Sequence, residues 1–161
     1  MNPDEINPDL DLELNRIIRA PQSAVWRAWT NPDELQRWFI PAPTVLRVDR
    51  LDVHPGGGLV TSMSDDGANF TAHIDAVFLV VEPGSRLVWT NAIDSMWRPQ
   101  QPRPVPLTAE IRLLEHPQGT DYRVVVRHGR PEDQRLHAEL GFFEGWGAVT
   151  EQLAEFAERS S

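Results

Sequence analysis

The side chains best suited to acid–base chemistry or metal binding are five histidines: His54, His73, His116, His128 and His137. No two of them stand two or four positions apart, the spacing that places metal ligands on one face of a strand or helix. The sequence therefore predicts no metal site. His128 alternates with Tyr122 and Val126 along one strand and is predicted to face the interior. His73 is predicted to be exposed, because it lies opposite the apolar residues of its strand.

Arg16 continues an alternating run that contains Leu12 and Leu14, so its guanidinium is predicted to lie on the apolar face of a strand. An unpaired buried charge is strongly unfavourable. Arg16 therefore needs a partner, which is either Glu110 or Glu144 in a salt bridge or the carboxylate or carbonyl of a bound ligand.

The composition limits the function classes that remain. A chain of 161 residues, 40% of them hydrophobic, suits one domain. Fifteen basic against 24 acidic residues give a net charge of -9, which opposes nucleic acid and anionic membranes. Cysteine and lysine are absent, so disulfides, thiol nucleophiles and Schiff-base chemistry are excluded. No G-x-S-x-G hydrolase motif occurs. Asp75 and Glu110 are predicted to lie on exposed strand faces, with no second carboxylate to form a catalytic pair.

The N-terminal third predicts one strand followed by two short helices. Alternation from Leu10 to Ile18 indicates a half-buried strand. Trp26 and Trp29 follow at helical spacing and are interpreted as core residues. Asn31 is predicted to cap the second helix, with Pro32 at its first position. That helix closes with Trp38 and Phe39, for which core packing and a position at a cavity mouth both remain open.

The rest of the chain predicts six strands and one long helix. The strands cover 45–53, 59–64, 70–80, 87–93, 107–114 and 122–128, separated by turn sequences such as HPGGG and EPGSR. A proline-rich segment, MWRPQQPRPVP, connects the fourth and fifth of these strands. Phe142, Trp146, Val149, Leu153 and Phe156 then recur at helical spacing, and Leu136, Leu140 and Phe143 are predicted to widen this stripe. The sheet must curl around that helix to cover its apolar face.

Three glycines, Gly141, Gly145 and Gly147, fall within the predicted long helix, where each costs about 1 kcal/mol relative to alanine. Gly145 lies beside the stripe of Phe142 and Trp146. It is predicted to allow close packing of a strand, with an enlarged cavity as the alternative.

Five ordered segments carry a resemblance to a known family: RIIRAPQSAVWRAWTNPDELQRWF, HPGGGL, GSRLVWT, GTDYRVVVRH and LGFFEGWGAVTEQLAEF. Together they resemble the family named after the C-terminal domain of the activator of the Hsp90 ATPase, within the START-like (SRPBCC) helix-grip superfamily. The resemblance implies an α+β fold in which a seven-stranded curved antiparallel sheet wraps around a long C-terminal helix. Residues 10–161 are accordingly expected to form one domain, after a flexible acidic tail at residues 1–9.

The resemblance leaves three functions open. The first is a domain that binds a small hydrophobic or aromatic ligand between sheet and helix, with Trp97 and the following prolines as a lid. The second is a cyclase- or aromatase-like enzyme that uses Arg16 and His128. The third is a protein-interaction domain for an Hsp90 homologue. The residues predicted to contact a ligand are Arg16, Trp38, Phe70, Trp89, Trp97, Tyr122, His128, Phe142 and Trp146.

The sequence favours the binding domain, without a cofactor and without catalytic residues. It allows a homodimer and disfavours an Hsp90 partner, because the chain has no room for the additional N-terminal domain of the co-chaperones. No basic segment precedes an apolar run at the N-terminus, and no 18 apolar residues follow one another. The protein is therefore predicted to be cytoplasmic.

Overall fold

A computed structural model describes residues 4–160. The elements in chain order are β1 (Asp11–Ile18), α1 (Gln22–Thr30), α2 (Pro32–Leu35), β2 (Val45–Leu51), β3 (Gly58–Ser64), β4 (Thr71–Glu82), β5 (Arg86–Thr90), β6 (Thr108–His116), β7 (Gly119–Arg127), α3 (Pro131–Glu139) and α4 (Phe142–Ser160). The strands form one antiparallel sheet in the order β1-β7-β6-β5-β4-β3-β2. The two edge strands are β1 and β2, and β1 pairs with the last strand of the chain, β7.

The last helix lies in the concave face of this curved sheet. Its buried side includes Phe142, Val149, Leu153 and Ala157, and it contacts β1 and α1. These residues recur at helical spacing, so the helix presents one continuous apolar stripe to the core. The predicted α+β helix-grip fold, with seven strands and two short helices after the first strand, is confirmed.

The start of α2 follows its sequence signals. The side chain of Asn31 accepts a hydrogen bond from the backbone N–H of Glu34 at 3.1 Å, and Pro32 occupies the first helical turn. The cap satisfies a backbone donor that the helix cannot satisfy itself. This short helix positions Trp38 and Phe39, which follow it.

The C-terminal helical region differs from the prediction, because it is divided into α3 and α4. Gly141 separates them with a φ of 101°, a conformation that glycine adopts without strain. Leu136, Leu140 and Phe143 lie outside the buried stripe and are 39%, 59% and 52% exposed. The prediction that these three residues widen the buried stripe is therefore wrong.

The predicted N-terminal tail includes residues 1–3, which lie outside the described residues. Within the remainder, the carboxylate of Asp4 pairs with Arg112. The carbonyl of Pro8 accepts a hydrogen bond from Gln134 of α3 at 3.2 Å. No helix within residues 4–160 is long and apolar enough to cross a membrane.

Candidate functional site: a groove between the sheet and the last helix

A groove opens between the concave face of the sheet and α4. It consists of two adjoining spaces, of about 200 and 530 Å³, which share His73, Ile74, Trp89 and Trp146 as lining residues. The smaller space continues to Phe39 and Val149, and the larger one continues along residues 102–105 to His137. The larger volume lies within the range of small-molecule sites, about 300–1,000 Å³.

Aromatic rings form the wall that the two spaces share. Trp89 of β5 and Trp146 of α4 are nearly parallel, with centroids 6.3 Å apart and planes 14° apart. Phe39 meets Trp89 edge to face at 6.3 Å. Such surfaces suit planar apolar molecules, because rings stack on them with little loss of side-chain freedom.

Gly145 contributes to the groove by lacking a side chain. It lines the smaller space, and a Cβ built on it would meet no atom within 4 Å. The prediction that Gly145 allows close packing of a strand is wrong, and the alternative of an enlarged cavity agrees with the structure. Gly147 also has open space around its Cβ position but does not line the groove.

His73 lies in the groove, and the prediction that it is exposed is wrong. In the pairing of β3 with β4, Thr61 pairs with Ile74 and Ser62 pairs with Ala72, so His73 occupies a bulge. The extra residue reverses the alternation of side chains, and His73 turns inward. Its Nδ1 lies 2.9 Å from the hydroxyl of Thr61. Burial lowers the pKa of His73 to about 4.

Gln152 of α4 fastens the loop that carries Phe39 and Pro41. Its amide nitrogen donates to the carbonyls of Trp38 and Ile40 at 2.8 and 2.7 Å, and its oxygen accepts from the N–H of Ala42 at 2.8 Å. One side chain thus satisfies three backbone groups at the groove edge. The predictions from sequence missed this residue, because a glutamine on a helix carries no signal of what it will meet.

Three residues predicted to contact a ligand are instead packed in the core beside the groove. Trp38, Tyr122 and Phe142 are each 1% exposed. The indole of Trp38 donates to the carbonyl of Ala28 at 3.0 Å. The hydroxyl of Tyr122 accepts from the indole of Trp29 at 3.0 Å, and burial raises the pKa of Tyr122 above its usual value.

Arg16 lies away from the groove and pairs with Glu151 of α4, at 2.8 and 3.1 Å. The predicted partners, Glu110 and Glu144, are both wrong, because the partner depends on how α4 docks against β1. The side chains are 34% and 58% exposed, so the pair is a surface one. The hydrogen bond from Arg16 lowers the pKa of Glu151.

Glu110 is 4% exposed and accepts hydrogen bonds from Arg86, Arg112 and Arg127, each at 3.0 Å. The prediction that it lies on an exposed strand face is therefore wrong. Burial alone would raise the pKa of Glu110, but the hydrogen bonds and charges of Arg112 and Arg127 hold it below its usual value.

His128 and His137 form a buried pair, 5% and 9% exposed. Nε2 of His128 lies 2.8 Å from Nδ1 of His137, and Nδ1 of His128 lies 2.8 Å from the carbonyl oxygen of Leu10. Burial and the neighbouring His128 lower the pKa of His137 to about 4. Leu10 and Arg16 are six residues apart, about 20 Å along a strand, so the structure does not bring His128 and Arg16 together as an acid–base pair.

The last two predicted ligand contacts, Phe70 and Trp97, also lie outside the groove. The guanidinium of Arg47 lies 4.4 Å from the centre of the Phe70 ring. Trp97 is 70% exposed and donates to the carbonyl of Gly56 at 2.8 Å. Pro102 and Pro104, which follow Trp97 in the proline-rich segment, do line the groove. These prolines, and not Trp97, therefore form the mouth of the groove.

Trp89 and Trp146 are the predicted ligand contacts that the structure brings together in the groove. The groove is also lined by His73, Gly145 and His137, which are not among the predicted ligand contacts. No group of three or more metal-ligating side chains occurs within residues 4–160.

Comparison with known proteins agrees with this architecture. The family model for activator of Hsp90 ATPase homolog 1-like protein matches residues 19–158. The crystal structure of protein NE0264 from Nitrosomonas europaea is 36% identical, with a TM-score of 0.86 over 98% of this chain and 99% of that chain.

Two more distant structures share the fold alone. A protein from Arthrobacter aurescens is 19% identical, with a TM-score of 0.80 over 97% of this chain and 90% of that one. The AHSA1-like protein from Aeromonas hydrophila is 18% identical, with a TM-score of 0.66 over 93% of both chains. No curated protein matches the sequence.

Proposed function

The chain belongs to the activator of Hsp90 ATPase homolog 1-like family, and we propose that it binds a small hydrophobic or aromatic molecule in the groove. The observation that carries this proposal is the parallel pair of Trp89 and Trp146 beside Gly145, whose missing side chain leaves open space. A binding pocket is typically apolar with a few polar groups, and the groove has this character.

Glycine at position 145 supports the proposal on energetic grounds. A glycine inside a helix costs about 1 kcal/mol relative to alanine. Packing does not require it, since a Cβ would touch nothing within 4 Å. Space for a ligand is a physical reason for a residue that otherwise weakens α4.

The test uses N-phenyl-1-naphthylamine, an uncharged aromatic dye that fluoresces more strongly in apolar surroundings. The wild-type protein should bind it saturably. Gly145→Leu places a side chain in the smaller space of the groove and should weaken binding at least about tenfold, which corresponds to about 1.4 kcal/mol.

Gly147→Leu is the matched control. It replaces a glycine of the same helix that also has open space, so it should gain the same helix propensity and keep wild-type affinity. Thermal unfolding of each variant verifies that it is folded. Two results contradict the proposal. The wild-type protein does not bind the dye saturably, or both substitutions weaken binding equally.

A further inference from the structure

The pair of His128 and His137 connects the end of β7 to the groove. His128 follows β7, while His137 lies in α3 and lines the larger space. The contact between their rings is 2.8 Å, and a second contact of 2.8 Å joins His128 to the backbone of Leu10. The two contacts form a hydrogen-bonded series that runs from the carbonyl of Leu10 through both imidazoles to the groove.

The hydrogen-bond partners indicate which ring nitrogens of His128 and His137 carry protons. A carbonyl oxygen only accepts hydrogen bonds, so Nδ1 of His128 carries a proton and donates to Leu10. In a neutral imidazole the other nitrogen is then an acceptor. When both imidazoles are neutral, Nε2 of His128 therefore accepts from Nδ1–H of His137, and Nε2 of His137 is left with a lone pair. Burial favours the neutral form of His137, because it lowers the pKa to about 4.

This lone pair has no partner among the residues that the structure describes. Within residues 4–160, no hydrogen bond engages Nε2 of His137. Trp89, which lines the groove, also carries an unpartnered donor, because its indole N–H is buried and meets no acceptor in the same part of the chain. A buried polar group without a partner costs about 1–3 kcal/mol, so this N–H favours a ligand that accepts from it. Nε2 of His137 is not fully buried and can accept from a donor in the groove.

Among the other polar side chains along the larger space, Arg103 is exposed, and Asp75 accepts from the backbone N–H of Ser95 at 2.7 Å. Asn91 donates to Val105 at 3.3 Å and accepts from the N–H of Leu107 at 2.7 Å. Gln100 donates to the carbonyls of Asp75 and Asn91. The tautomer of His73 is not fixed in this way, because the hydroxyl of Thr61 both donates and accepts.

We infer that the ligand is a planar ring compound with an O–H or N–H group that donates to Nε2 of His137 and an acceptor atom for the indole N–H of Trp89. This inference rests on the proposed function, because it specifies the chemistry of a molecule in the groove. Phenols are the simplest class that fits, since a phenolic hydroxyl both donates and accepts.

The binding test compares 2-naphthol with 2-methoxynaphthalene, which keeps the ring and the oxygen but has lost the donor. The wild-type protein should bind 2-naphthol about three- to tenfold more tightly, the value of one hydrogen bond. His137→Phe keeps a ring at this position without a nitrogen and should bind the two compounds equally. A preference that persists in His137→Phe is steric in origin and overturns the inference.

A second measurement needs no ligand and no variant. Long-range ¹H–¹⁵N correlation spectra of the wild-type histidine rings at neutral pH should show a protonated Nδ1 and a bare Nε2 in both His128 and His137. A proton on Nε2 of His137 overturns the inference, whatever the naphthols do.

The outcomes separate this inference from the proposed function. Equal wild-type affinity for the two naphthalenes, or no binding of either while N-phenyl-1-naphthylamine still binds, overturns the inference alone. If none of the three compounds binds, the proposed function fails and the inference fails with it.

Discussion

Trp89 of β5 and Trp146 of α4 stack nearly parallel in the wall of the groove, with ring planes only 14° apart. One ring belongs to the curved sheet and the other to the helix that the sheet surrounds, so the width of the groove depends on how α4 docks. Gln152 is the side chain that ties α4 to the groove edge, through its bonds to the loop from Trp38 to Ala42. This arrangement makes ligand binding sensitive to contacts outside the groove itself.

Gln152→Ala should therefore weaken both folding and binding. Removing the amide leaves three backbone groups without their partner, which should lower the free energy of unfolding by about 1–3 kcal/mol and release Phe39 and Pro41 from their positions. Urea unfolding and dye titration measure the two effects. Gln22→Ala is the control, because Gln22 makes similar bonds to Leu113 and Gly84 far from the groove. If both variants keep wild-type dye affinity, Gln152 does not position the groove edge.

Tyr122→Phe should destabilise the core without reaching the groove. It removes the only acceptor of the buried indole N–H of Trp29 within the described residues, and an unsatisfied donor costs about 1–3 kcal/mol. A double-mutant cycle with Trp29→Phe, followed by urea unfolding, should show coupling between the two positions. If Tyr122→Phe changes the free energy of unfolding by less than about 0.5 kcal/mol, it behaves like a neutral surface substitution. That result would refute a stabilising role for the hydrogen bond between Trp29 and Tyr122.

The buried histidines predict how stability varies with pH. Burial lowers the pKa of His73 and of His137 to about 4, whereas each titrates near 6.5 in an unfolded chain. Between these values the unfolded state binds more protons, so the free energy of unfolding falls as the pH decreases. Above about pH 6.5 both histidines are neutral in the folded and in the unfolded state, so their contribution to the free energy of unfolding is constant.

From about pH 7 to about pH 5, each histidine should contribute a loss of about 2 kcal/mol. Urea unfolding at several pH values measures the slope. His73→Gln should make it shallower, while His54→Gln, which replaces an exposed histidine, should leave it unchanged. A slope that is identical in wild type and His73→Gln contradicts the burial of His73 as the cause.

The two ion-paired carboxylates should differ in their effect on stability. Glu151→Gln breaks a surface pair with Arg16 and should cost less than about 1 kcal/mol. Glu110→Gln replaces a 4% exposed carboxylate held by three arginines, and should cost about 1.5–3 kcal/mol because its hydrogen bonds to charged groups are weakened. Chemical unfolding of both variants at low salt checks the order. Equal losses would show that burial does not set the strength of these pairs.

Much of the fold could be predicted because its signals are local and repeated. Alternating residues indicate each strand, and the spacing from Phe142 to Phe156 indicates the last helix. The prediction of one uninterrupted C-terminal helix fails at Gly141. A glycine after the run Ala138-Glu139-Leu140 is a standard signal for the end of a helix. The apolar residues on both sides of Gly141 nevertheless favour one continuous stripe, and the structure shows that this prediction is wrong.

The groove could be predicted only in part. Trp89 and Trp146 follow from alternation and helical spacing. His73 does not, because the bulge that turns it inward leaves no mark in the sequence. The partners of Arg16 and Gln152 depend on the docking of α4 against β1 and the loop after α2, a long-range relationship that local patterns do not contain.

The place where an aromatic molecule binds is the most direct test of the proposed site. Intermolecular nuclear Overhauser effects between N-phenyl-1-naphthylamine and the labelled protein measure it. We predict contacts with the rings of Trp89 and Trp146 and the methyl groups of Val149. Contacts with Val80 and Val88 on the opposite face of the sheet, or saturable binding without contacts to either tryptophan, would contradict it.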